Sequence, residues 1–512
     1  MTATSDVPRR AFTFGAARHT GLIGKRDTGE LLVLGAGGLL AVAMPLLLPL
    51  LALKVLGLIA PLALAVAVVF APYRPRGSRA PRRTFYRWAE PSRTYRRTLR
   101  TEGGRWRSSA REAGVNLDGT EPEIGLPPGI SRHSWLTATV RIGGQEREAA
   151  VLLHQDRRCL TAALEVEPSG LGRLDYADQV ALLDVFGRSV LNTLGNGPGY
   201  GKRLQMLARQ LPSDPQAHAR DVATRGDERA AGWLRESYDE LQGQLSTSAE
   251  QHRYWAVLSL DYTPDLVMEA QAFGGGDRGL AHVVGRELEA LALRLVDARL
   301  PVAGPVGVAA LASVIRNAYS PDHPLDTRAG MRRNRAWPHE LDAHAEDEVA
   351  ARMAQGAEWH HATAAVVAWP QTPVGVNFLA PLLVQMPDVI RTVSVVFTME
   401  ANDRALARLL AETTDDQAEG ARSRKLGRVE DPREARQSAQ TTSRGDELAA
   451  GSAGAALVGY LTVSARSPEQ LRRLRRDVEA KAGSAFLVIE WCDREQARAF
   501  ATTLPLAAGS AA

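Results

Sequence analysis

"LLVLGAGGLLAVAMPLLLPLLALKVLGLIAPLALAVAVVFAP", Leu31 to Pro72, carries a single charge, Lys54. At 1.5 Å per residue, a helix of that length would extend roughly 60 Å, twice the ~30 Å hydrocarbon core of a bilayer. The run is therefore expected to cross twice, with Pro45, Pro49 and Lys54 marking the turn. Both flanks are cationic. Arg9, Arg10, Arg18, Lys25 and Arg26 precede the run, and Arg74, Arg76, Arg79, Arg82, Arg83 and Arg87 follow it. Cationic flanks stay in the cytoplasm, so both termini are expected there, which requires an even number of spans. A cleaved signal peptide is shorter, starts earlier and ends at a cleavage site that this run lacks. The arginines of 74–87 fix that topology and are the expected contact to anionic headgroups, at about 1 kcal/mol per cation.

Around this hairpin the chain has 512 residues, 45% of them hydrophobic and 23% charged. That composition suits packed cores, and the length suits two to four domains. The net charge of +4 is small for the length and does not by itself argue for nucleic acid. Cys159 and Cys492 are the only cysteines and both lie in apolar runs. A disulfide framework is excluded, a reducing compartment is expected, and no zinc-type spacing occurs. The cations are overwhelmingly Arg and Ala is abundant, a bias of GC-rich bacterial genomes.

Beyond residue 88 no further spanning run occurs, and the remainder reads as an α/β (α+β) cytoplasmic body. The reading divides the chain into a cytoplasmic N-terminal segment (1–30), the hairpin (31–72), a basic juxtamembrane segment (73–130), an α/β body (131–400), a polar part (401–455) and a C-terminal part of the same body (456–512). "HSWLTATVRI" (133–142), "EAAVLLHQ" (148–155) and "CLTAALEV" (159–166) read as a small antiparallel sheet. Helical spacing marks 175–194, 279–300 and 306–321, and alternation marks strands at 251–264 and 389–400. Residues 322–358 read as a polar segment, followed by the apolar run "TAAVVAWP" (363–370) and a helix-like 376–385. The polar stretch 401–452 is either a solvated helical hairpin or a linker. The C-terminal order is strand 456–465, helix 467–482, strand 485–492 and a last helix from Asp493, with 389–400 pairing into that unit. No internal repeat is visible.

Several motifs look chemical and fail on inspection. "GNGPGYGK" (195–202) resembles a phosphate loop, but Arg203 stands where Ser or Thr must bind Mg²⁺, and Asn196 where Gly is needed. It also follows a helix, and reads as a helix-to-helix joint, with the second helix starting near Tyr200. "AFGGGDRG" (272–279) is a Gly-rich connector. "HELDAH" (339–344) spaces its histidines five apart, which cannot share a helical face as i and i+4 do. "WHH" (359–361) reads as packing or surface histidines. No catalytic residue, cofactor or metal site is assigned.

The C-terminal half has a family cadence. "WHHATAAVVAWPQTPVGVNFLAPLL" (359–383), "RTVSVVFTMEANDRALARL" (391–409), "GYLTVSARSPEQLRRL" (459–474) and "EQARAFATTLPL" (495–506) resemble the N-terminal, motor-less region of type IV secretion and conjugation ATPases, the VirB/TraC/TrbE/CagE class. "FTFG" (12–15) and "GLIGKRDTGELLVL" (21–34) before the hairpin are similar to PrgI-like inner-membrane subunits. The layout resembles an actinobacterial family of type IV secretion-like clusters. The resemblance implies a non-enzymatic scaffold in the cytoplasmic membrane, with a secretion ATPase in trans, other membrane subunits and oligomerisation. Walker motifs are absent from this chain, so no catalytic residue carries over.

Rival readings are a two-span, motor-less subunit of a type VII secretion complex, and a membrane-anchored ligand-binding protein. A nucleic-acid-handling role would use Phe85, Tyr86, Trp88, Tyr95 and Trp106 among the cations of 74–111. The same mixture is what a membrane interface collects, and the membrane account is favoured.

Overall fold

The computed structural model describes residues 28–47, 51–73, 83–102, 104–108, 125–168, 170–212, 231–246, 250–326, 328–354, 356–370, 374–410, 413 and 445–509, some by backbone alone. The apolar run forms two helices, α1 (Thr28–Leu47) and α2 (Leu51–Phe70), packed side by side. A short ladder of β1 (Pro72–Tyr73) with β2 (Arg83–Thr84) leads into helix α3 (Phe85–Glu102).

Among the described residues, the rest is organised on one 13-stranded antiparallel sheet. Its strands are β3 (Arg105–Arg107), β4 (His133–Ile142), β5 (Gln145–His154), β6 (Cys159–Val166), β7 (Gly201–Pro212), β8 (Glu250–Asp261), β9 (Val302–Pro305), β10 (Glu340–Asp342), β11 (Val349–Arg352), β12 (Glu358–Ala368), β13 (Ile390–Glu400), β14 (Gly454–Ala465) and β15 (Val488–Trp491). The order across the sheet is β3-β10-β11-β12-β14-β13-β7-β8-β6-β5-β4, with β15 beside β12 and β9 beside β6. The three strands expected at 133–166 are present, as one wing of this larger sheet.

The sheet is a structural repeat, which the sequence reading did not see. Starting from its centre, β7-β8-β6-β5-β4 runs one way and β13-β14-β12-β11-β10 the other. The registers agree along the central strands, and β9 and β15 depart from each other only at their starts. Leu164 lies opposite Ala256 and Pro305, and Ala256 opposite Met206. In the other half, Ala364 lies opposite Leu461 and Trp491, and Leu461 opposite Val393. Met206 and Val393 are thus equivalent, and their central partners are Val395 and Ala208. A two-fold axis through the Leu207–Ser394 pair exchanges the halves. The repeat is hidden because equivalent positions share alternation and burial, not residue identity.

Both faces of the sheet are covered, so its central strands read as nearly continuous apolar runs. Leu160, Ala162, Leu164 and Val166 join one core cluster, with Leu258 and the helix α5 (Gly276–Asp297). Ala163, Leu207 and Trp255 join the opposite one, with the helix α6 (Val308–Tyr319). Gly285 of α5 sits so close to β4 that a Cβ there would be 2.8 Å from the Thr139 carbonyl oxygen. In the second repeat α7 (Pro468–Ser484) covers β14 and β12, capped by the Ser467 side chain at its start. A short helix α8 (Gln496–Ala501) follows.

The helix expected at 175–194 is α4 (Tyr176–Val185), continued by a π-turn over Phe186–Asn192 and one last turn to Asn196. The polar stretch 322–358 contains β10 and β11, and 376–385 holds one helical turn, Ala380–Leu383. Of 401–452, residues 402–410 and 445–449 are helical and bury Ala405, Leu409 and Leu448 together, while 414–444 lie outside the described residues.

Candidate functional site

The N-terminal module starts with the α1–α2 pair. Gly37 permits close approach: a Cβ there would lie 2.3 Å from Ala65 Cβ and 3.2 Å from the Pro61 carbonyl oxygen. Away from that seam the pair presents apolar side chains outward, among them Leu39, Leu46, Leu58, Leu62 and Phe70. Counted over described residues alone, no helix is long and apolar enough to cross a membrane. Each of the two helices has 20 residues with its ends included, a length of about 30 Å. Lys54 is exposed in the first turn of α2, beside the junction of the two helices where the turn was expected.

Helix α3 fastens this module to the outer edge of the second repeat. The Tyr95 hydroxyl donates to the His344 carbonyl oxygen. Arg494 Nη1 donates to Ser92 Oγ at 2.8 Å, while its Nη2 lies 3.0 Å from Glu346 Oε2. Strand β3 then pairs with β10, and Arg105 bridges Glu340 and Asp342. Of the membrane-proximal arginines, Arg74, Arg76, Arg79 and Arg82 lie outside the described residues; Arg83 is in β2 and Arg87 in α3, with their side chains outside the described set. Of the aromatics weighed for stacking on bases, Tyr95 is bonded to the body and Trp106 packs against its core.

The glycine loop has a different role from the one its composition suggests. Lys202 Nζ turns back onto the helix end and donates to the carbonyl oxygens of Leu194, Gly195 and Gly197, at 3.1, 3.2 and 3.1 Å. These carbonyls are orphaned where the helix stops, and a cation there also suits the helix dipole. The ammonium that would hold a phosphate is thus used as a C-cap, and partial burial lowers its pKa. The expected second helix is absent: β7 begins at Gly201, so the joint is helix-to-strand.

The histidine motifs are also structural. His339 and His344 flank the short strand β10, and His344 Nδ1 bonds Asp342. On β12, His360 Nδ1 lies 3.0 Å from Glu348, and His361 is fully buried between Ser464 Oγ and the Tyr319 carbonyl oxygen. Burial drives the pKa of His361 down to about 3, helped by the Arg209 cation. Among the described residues no group of three His, Cys, Asp or Glu could hold a metal ion. Neither Cys159 nor Cys492 is in a disulfide, and burial raises the pKa of the Cys159 thiol.

Sequence reasoning missed three polar anchors. Arg391, fully buried, donates to the carbonyl oxygens of Leu382, Leu383, Met386 and Val389 and pairs with Glu250 at 2.6 Å. Arg209 reaches Asn317 and Thr392, and burial lowers its pKa to about 9. Gln205 Nε2 donates to Ser394 Oγ and to the Thr502 and Leu504 carbonyl oxygens, and its Oε1 accepts from Ala507 N. The available signal was a polar residue at an inward position of an apolar strand. No family model and no curated protein matches this chain.

Proposed function

We propose that this protein is a non-catalytic scaffold anchored in the cytoplasmic membrane, part of a type IV secretion-like apparatus, that holds a separately encoded ATPase at the inner face. The observation that carries the anchoring is the α1–α2 pair with its outward apolar side chains, Leu46 and Leu47 being 82% and 83% exposed. A patch of that extent calls for an apolar partner, and a helix pair satisfies its own backbone as lipid demands. Both termini are then cytoplasmic, and the arginines of 74–87 meet anionic lipids.

The docking part rests on the resemblance of 359–383, 391–409, 459–474 and 495–506 to the motor-less region of the secretion ATPases. It is supported by mechanics: α3 ties the apolar helices to the second repeat, and the continuous sheet ties that repeat to the first. Such a body offers ample area beyond the ~1,000 Å² that a specific interface needs. Other membrane subunits and further copies of the chain are expected neighbours.

Two measurements test this. Alkaline carbonate should leave the full-length chain in the membrane pellet; release into the supernatant would end the anchoring proposal. Chain purified in mild detergents should bring down the conjugation-type ATPase encoded beside it. Recovery without that ATPase in every detergent, from membranes that retain the chain, would remove the docking proposal alone.

A further inference from the structure

A cleft of ≈ 930 Å³ opens in the first repeat between β9, the start of α6 and the loop carrying Arg328 to Arg333. Small-molecule sites occupy roughly 300–1,000 Å³. Four arginines line the cleft, Arg147, Arg328, Arg332 and Arg333, against two carboxylates, Glu148 and Glu165. Glu165 is already engaged, 2.8 Å from Arg253 Nη1 and 3.8 Å from Arg328 Nη2. Arg147 donates to the Ala303 carbonyl oxygen and to Gln145 Oε1. Arg332 and Arg333 are exposed, and among the described residues neither guanidinium has an ion-pair partner. The remaining wall is aliphatic: Pro305, Val308, Ala309, Ala310 and Met331.

The repeat shows that this opening is a departure from the shared architecture. Pro305 and Trp491 are equivalent by register, as are Gly304 and Glu490. One residue on, the Val306 amide bonds the Ala163 carbonyl oxygen as Cys492 bonds Thr363, which makes Gly307 the counterpart of Asp493. The second repeat therefore places Glu490, Trp491 and Asp493 where the first has Gly304, Pro305 and Gly307. There the Trp491 ring lies 4.5 Å under the Arg475 guanidinium, and Arg475 pairs with Asp493 at 3.0 Å. The first repeat omits those side chains and turns arginines toward the space. A Cβ at Gly304 would lie 2.8 Å from Arg147 Nη1, so any side chain there would have to displace that guanidinium.

We propose that this cleft binds a phosphate-bearing small molecule, its phosphate held by Arg332 and Arg333 and its organic part laid against the aliphatic wall. The planar guanidinium fork matches phosphate oxygens in pairs, and two such groups without partners are matched to a dianion. A soluble nucleotide and a phospholipid headgroup share this chemistry.

The test uses the full-length chain in nanodiscs of neutral lipid, titrated by calorimetry with ATP, inorganic pyrophosphate and a water-soluble short-chain phosphatidylglycerol. Saturable binding of ATP or of the short-chain lipid is expected below about 1 mM. ATP alone would mark a soluble ligand and the lipid alone a membrane source; pyrophosphate should compete with either. Arg332→Ala/Arg333→Ala should weaken binding at least about tenfold, and Ala309→Trp should weaken it by filling the cleft. Arg472→Ala/Arg473→Ala, removing the same charge from the exposed side of α7, should leave it unchanged. No saturable binding of any probe, or equal loss with both arginine pairs, would overturn the proposal.

Discussion

Leu207 of β7 lies directly opposite Ser394 of β13, and the two positions are also each other's counterparts in the two repeats. The centre of the sheet is therefore the one place where the repeats must pair with each other. It is sealed by the C-terminal segment, whose Leu504, Leu506, Ala507 and Ala508 are buried there. Gln205, fully buried, ties that segment down with both ends of its amide.

Gln205→Leu keeps the volume and removes those bonds, leaving the Leu504 carbonyl and Ala507 amide without their side-chain partner. At about 1 kcal/mol per bond, plus the penalty for unsatisfied buried groups, the loss should be about 3–4 kcal/mol of stability. Chemical denaturation of the detergent-solubilised chain measures it. Limited proteolysis should cut first within 502–509. A loss below about 1 kcal/mol would mean that the C-terminal seal is not set by this residue.

The glycine loop gives a prediction that separates two chemistries. If Lys202 is a helix cap, Lys202→Met should cost about 1–2 kcal/mol by leaving three carbonyls without their side-chain donor, and leave ATP binding untouched. If the loop cradled phosphate, the same change would abolish binding with little effect on stability. Thermal melts and calorimetry on one preparation distinguish the two.

Composition and periodicity placed the apolar helices, the strands 133–142, 159–166 and 389–400, and the long helices within a few residues. These elements carry their own pattern, because one stripe or one alternating face is apolar. β10 and β11 escaped because strands of three and four residues are too short to show alternation, and their burial comes from β3 and β12. β7 was missed because "GYGKRLQMLARQLP" places Lys202, Arg203 and Arg209 in a strand buried on both faces, where Lys202 caps the preceding helix end and the partners of Arg203 and Arg209 come from segments far along the chain. The repeat and the arginine-lined cleft are relations between segments far apart in the chain, which one sequence does not display.

Acid should unfold the body through two buried histidines. Burial holds His154 and His361 near pKa 3, against 6.5 for an unfolded His. Between those values the unfolded chain binds protons that the folded chain does not, so stability falls as pH falls from about 6.5 toward 3. It is unaffected by these groups above that window. Each should contribute a slope of up to about 1.4 kcal/mol per pH unit. His361→Gln should lower stability at pH 7.5 by removing the buried bonds to Ser464 and Tyr319, and flatten the acid limb. An unchanged slope would show that His361 is protonated in the fold.

Arg391 offers the sharpest test of what holds the loop before β13. Its guanidinium is fully buried, gathers four carbonyl oxygens of 382–389, and reaches Glu250, itself only 7% exposed in its side chain, on β8. Among the described residues Glu250 has one other side-chain partner in reach, His252, whose Nε2 lies 3.0 Å from Oε2. Arg391→Met removes the donors and leaves a buried carboxylate facing a single histidine. Breaking a buried pair from one side typically costs 3–5 kcal/mol, because the remaining charge is uncompensated. Arg391→Met/Glu250→Gln removes that charge too and should recover part of the loss, with the four carbonyls still lacking their donor. A double-mutant cycle by denaturant titration gives both numbers. A double variant no more stable than Arg391→Met would place the whole effect in the carbonyl bonds, making Arg391 a loop clamp whose ion pair is incidental.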